Sequence, residues 1–156
     1  MEEAGALYSI AEVSIGLAGF TGVVTALQGR GVWHQLDIWR VVNLLIVTFG
    51  TLFLALTPIA LHSYGIHAPA LWRASSAFAI ACALLGSVVL VCFQPQGTPI
   101  RARFLLIPII VVSLQALNAL AVLTRRTFAV YYTCLVLSLV VGAIEFVQIL
   151  LVRPEK

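Results

Sequence analysis

The chain has 156 residues, of which 62% are hydrophobic and only 10% charged. One small soluble core cannot hide so much apolar surface, and a chain this short leaves no room for a soluble catalytic module beside a membrane domain. The net charge of +3 is spread over connections rather than gathered in a basic patch, which suits orientation in a bilayer and argues against nucleic-acid binding.

The expected fold class is all-α. Residues 1–156 read as a single integral membrane domain, a bundle of five transmembrane helices with short connections. Apolar runs fall at 6–27, 38–61, 71–93, 104–123 and 127–152, each long enough to cross roughly 30 Å of hydrocarbon. The chain opens on Met1, Glu2 and Glu3 without a basic n-region, and its first run is long and interrupted by Glu12. That run is expected to stay as a helix rather than be removed as a signal peptide.

Along the first run, Ser9, Glu12, Gly16 and Gly19 recur on one helical face, with Ser14, Ala18 and Gly22 as a second small-residue row. Small residues let membrane helices approach closely, so Gly16, Gly19 and Gly22 read as helix-packing positions. Packing does not account for Glu12. A carboxylate in hydrocarbon is costly and normally faces protein, water or a partner. The connection 28–37 carries Arg30, Trp33, His34 and Asp37, followed by Trp39 and Arg40, a mixture suited to the headgroup zone.

The second run contains Asn43 and Pro58, with Tyr64 and Trp72 bracketing the next connection. Ser75, Ala79, Cys82 and Gly86 give the third run a small-residue stripe, again a helix contact. The connection 94–103, with Pro95, Gly97, Pro99, Arg101 and Arg103, reads as a turn with a basic exit. In the fourth run Pro108 precedes Gln115 and Asn118, whose amides share a face and are expected to join helices. Thr124, Arg125 and Arg126 leave so short a link that the last two helices must be antiparallel neighbours. In the fifth run Tyr131 and Tyr132 read as interface anchors, while Ser138, Gly142, Glu145 and Gln148 lie along one side.

Arg73, Arg125 and Arg126 fall on the side of the N-terminus, and Arg30, Arg40, Arg101, Arg103, Arg153 and Lys156 on the other. Three basic residues against six place the N-terminus outside and the C-terminus in the cytoplasm. The expected location is the cell membrane, multi-pass, which is the inner membrane if the chain is bacterial.

Chemistry-bearing motifs are scarce. Cys82, Cys92 and Cys134 form no Cys-x-x-Cys pair, and His34, His62 and His67 match no metal-binding motif. Neither a phosphate-binding loop nor a nucleophile elbow is present. No catalytic residue, metal ligand or cofactor is expected, and the reading leans away from an enzyme. No known family's signature is recognised.

The leading reading is a small oligomeric membrane protein that lets protons or cations move along a path lined by intramembrane glutamates. Glu12 and Glu145 are its principal residues, with Gln148, Gln115, Asn118 and Asn43 as further polar positions. Because Glu12 lies early and Glu145 late in helices running the same way, they are separated by roughly 15–20 Å in depth. That spacing suits two stations on a route, or rings of one residue across subunits, better than a single paired site. The alternative is a non-transporting scaffold or partner subunit of a larger complex, with lipid contact at the basic, aromatic connections. Expected partners are membrane lipids, further copies or another membrane protein, and a proton or monovalent cation.

Overall fold

The computed structural model describes residues 3–27, 35–94, 102–120 and 127–151, and of 102–107 the backbone alone. Five helices occupy the five apolar runs: α1 (Ala4–Leu27), α2 (Gln35–Ser63), α3 (Ala70–Cys92), α4 (Ala102–Ala119) and α5 (Thr127–Leu151). The all-helical bundle expected from the apolar pattern is present. By length and composition α1, α2, α3 and α5 are each sufficient to cross a membrane, and the apolar stretch of α4 runs over Pro108–Ala119. The expected ends at 123 and 152 lie outside the described residues, as do Arg30, Arg101, Arg125, Arg126, Arg153 and Lys156.

Local chemistry explains several boundaries. α2 begins three residues before the expected 38, and Asp37 stands in its first turn, where the helix dipole favours a carboxylate. Arg40, one turn on, pairs with it at 3.2 Å. α2 ends in a Schellman turn. Gly65 takes φ +82°, its N–H donates to the His62 carbonyl at 2.9 Å, and the Ile66 N–H reaches back to the Leu61 carbonyl at 3.2 Å.

α5 packs against all four other helices, and α2 packs against α1, α3 and α5. Among the described residues α1 touches only α2 and α5, and α4 touches only α3 and α5. The first four helices therefore wrap around α5 in chain order and leave a gap between α1 and α4. Contacts fix the directions. The Tyr131 hydroxyl meets Leu54 while Gly142 approaches Leu44, so α2 and α5 are antiparallel. Likewise the Trp39 Nε1–H donates to the Leu90 carbonyl at 3.1 Å while Gly86 lies against Ile46, which sets α2 antiparallel to α3.

The apolar core lies toward one end of the bundle. Leu7, Ile10, Ala11, Ala55, Leu71, Trp72, Ala79, Tyr131 and Leu135 form it, from the starts of α1, α3 and α5 and the far half of α2. Outside, large apolar side chains face away from the protein on every helix, including Phe20, Phe53, Leu85, Ile109 and Leu151. So continuous an apolar exterior belongs in contact with lipid rather than water.

Candidate functional site

The two glutamates occupy opposite environments. Glu145 is 1% exposed on α5, the helix at the centre of the bundle. Gly142, one turn earlier, is the contact that brings three helices together. A Cβ there would lie 3.2 Å from Leu17 of α1, 3.5 Å from Leu44 and 3.6 Å from Thr48 of α2. Advancing one turn along α5 brings Glu145 level with the next turn of α1, which carries Thr21, and the preceding turn of α2, which carries Asn43. Both are buried, at 1% and 2% exposure. Gly142, Leu17, Leu44 and Thr48 thus mark the α1–α2–α5 junction, and Glu145 and Thr21 lie one turn further along it. The Nδ2 of Asn43 has no hydrogen-bond partner among the described residues.

The same junction holds Ser14, Thr48 and Thr51, all buried. Each hydroxyl is satisfied within its own helix: Ser14 donates to the Ile10 carbonyl at 2.8 Å, Thr21 to Leu17 at 2.7 Å, Thr48 to Leu44 and Thr51 to Val47 at 2.8 Å each. Such back-bonding lets a hydroxyl sit in an apolar interior without an interhelical partner. These groups line the seam as small, locally satisfied packing residues.

Glu12 faces the other way. The buried face of α1 is formed by Leu7, Ile10, Ala11, Ser14, Ala18 and Thr21. At 100° per residue Glu12 is centred nearly opposite that face, and it is exposed. Gly5, Ser9, Gly16 and Gly19 flank it within about 60° and are exposed too. A Cβ added at Gly5, Gly16, Gly19 or Gly22 would meet no atom within 4 Å. Among the described residues these glycines therefore approach no neighbouring helix, whereas Gly86, with a Cβ position 3.3 Å from Ile46, and Gly142 do. Glu12 stands about 12 Å along the axis from Ala4, well inside the span. Among the described residues it forms no ion pair.

The amides of α4 lie toward the other end of the bundle. Asn118 is fully enclosed, and its Nδ2 donates to the Ser76 Oγ at 2.8 Å and to the Thr127 carbonyl at 3.0 Å. It ties α4 to α3 and to the first residue of α5. Gln115, one turn away and 1% exposed, has an Oε1 without a hydrogen-bond partner among the described residues. Gln148 is half-buried on α5. The polar positions therefore separate into a buried carboxylate on α5, an amide tie at the far end, and an outward carboxylate on α1.

Three features escape a reading of the residues alone. Tyr131 is fully buried rather than anchored at the interface, with its ring 5.8 Å from that of Trp72. His62 and His67 come together, with ring centroids 4.9 Å apart. Thr21 lines the interior. Signals for the first two exist in the sequence: Pro58 frees the carbonyl that Tyr131 caps, and Gly65 between two histidines marks the turn that pairs them. Among the described residues no group of three or more His, Cys, Asp or Glu side chains gathers as a metal site.

Comparison of the chain with protein-family models, with curated proteins and with solved structures gave no match.

Proposed function

We propose that the protein is a small oligomeric membrane protein whose copies meet through the outward face of α1, where their Glu12 carboxylates together line a route for protons or cations. The carrying observation is the direction of Glu12: exposed, within the span, and opposite the face that packs on the protein's own bundle. A carboxylate left against lipid at that depth is costly, so a protein or water environment supplied from outside the chain stabilises it. Gly5, Gly16 and Gly19 leave the helix surface flat enough for a second helix to approach closely. A ring of acidic side chains at such a contact attracts cations. The five helices are read as five spans in the cell membrane, N-terminus outside, on the distribution of Arg and Lys.

The second reading, a non-transporting scaffold or partner subunit, is favoured by Glu145. Its enclosure in the protein's own interior leaves Glu12 as the outward acidic group within the described spans, which suits pairing with a different membrane protein. One experiment separates the two. Purified protein is reconstituted in vesicles, and proton flux and oligomeric state are measured for the parent chain, Glu12→Gln, Glu145→Gln and Gly19→Leu. The route predicts flux that falls at least tenfold in Glu12→Gln with assembly retained, and Gly19→Leu losing assembly and flux together. Flux unchanged by both glutamine substitutions removes the acidic route, and a monomeric parent chain without flux selects the partner-subunit reading.

A further inference from the structure

The α2–α3 turn brings the imidazoles of His62 and His67 together. Its backbone is pinned at both ends. The Schellman bonds from Gly65 and Ile66 close the end of α2, and Leu61 and Ile66 pack together against the core. On the far side the Leu71 N–H donates to the His67 carbonyl at 3.1 Å, which fixes His67 at the entry to α3. His62 in the last turn of α2 and His67 beyond the glycine are thereby brought side by side. Their ring centroids are 4.9 Å apart and their planes inclined at 73°.

That separation has a chemical meaning. A ring nitrogen binds a transition ion at about 2.0–2.1 Å, so the centroids of two imidazoles sharing one ion lie roughly 4.5 Å apart at a right-angled N–metal–N geometry and about 5.2 Å at a tetrahedral one. The observed spacing lies between. A second observation points the same way: the Nδ1 of His62 is buried and has no hydrogen-bond partner among the described residues. A ring contact alone leaves that nitrogen unsatisfied, and such buried polar atoms are uncommon. His67 is exposed, so one of the two rings faces the outside.

We propose that His62 and His67 form a two-imidazole site for a borderline divalent transition-metal ion of the Cu2+, Ni2+ or Zn2+ class, with water completing the coordination. Imidazole donors select these ions over Mg2+ and Ca2+, which take oxygen ligands. The turn supplies preorganisation, since neither backbone needs to move to bring the rings together.

The test uses the full chain, free of any affinity tag, in lipid nanodiscs titrated with Cu2+ and followed by electron paramagnetic resonance. One saturable equivalent with hyperfine coupling to two nitrogens is expected. His62→Ala and His67→Ala should each weaken binding at least about tenfold, since even second-shell losses at metal sites reach that size, and reduce the nitrogen count to one. His67 is exposed, so its replacement tests the site without disturbing the core, and retained helicity by circular dichroism confirms this. The proposal is overturned if no saturable binding is found, or if His67→Ala leaves affinity and nitrogen count unchanged.

Discussion

Pro58 lies inside α2, where it supplies no N–H to the carbonyl four residues earlier, that of Leu54. A freed carbonyl within a membrane bundle needs another donor, because no water is at hand to replace the lost bond. Tyr131 supplies it from α5: its hydroxyl donates to the Leu54 oxygen at 2.7 Å. This explains why a tyrosine that reads as a headgroup anchor is fully buried. Tyr131→Phe should lower stability by about 1–3 kcal/mol, the cost of an unsatisfied buried acceptor. In a Pro58→Ala background the alanine N–H restores the helical bond, so the same substitution should cost about 1 kcal/mol less. A double-mutant cycle of denaturation in detergent measures the difference, and simple additivity refutes the pairing.

The helices differ in how much of their role is local. α2 ends where it does because Gly65 adopts a left-handed conformation that side chains with a Cβ resist. Nothing crowds that position, since a Cβ there meets no atom within 4 Å. The cost of Gly65→Ala is therefore conformational, about 1–2 kcal/mol, and should appear as a lower unfolding midpoint without a change in helix content below it. A midpoint equal to that of the parent chain would show that the turn does not depend on glycine. α1 presents the opposite case. Its glycines suggest close packing, and a sequence gives no way to tell whether the packed neighbour belongs to the same chain. In the fold, Ser14 and Ala18 from the second row enter the bundle while Gly16, Gly19 and Gly22 face outward. The same residue type is used differently in α5, where Gly142 lies against Leu17 of α1 and Leu44 and Thr48 of α2.

For the molecule as a whole, α5 at the centre makes the last helix in the chain the one that closes the bundle. The proposed orientation is testable through positions at opposite ends of α2. In a chain with Cys82, Cys92 and Cys134 replaced by alanine, Tyr64→Cys should react with a membrane-impermeant maleimide on intact cells. Gln35→Cys should react only after lysis. Both parent side chains are exposed, so access through the protein does not limit either reaction. The reverse pattern would invert the orientation, and labelling of both on intact cells would mean that α2 does not cross.

The all-helical architecture and the approximate helix limits were readable from hydropathy and length, because an apolar run that must satisfy its own backbone in lipid has helix as its simplest solution. The direction in which each polar residue faces was not readable. A helix in lipid is apolar on both its inward and outward faces, so the amphipathic signal that orients a helix in water is weak or missing here. Packing alone put Glu145 inside and Glu12 outside, and folded the α2–α3 connection so that two histidines five residues apart became neighbours.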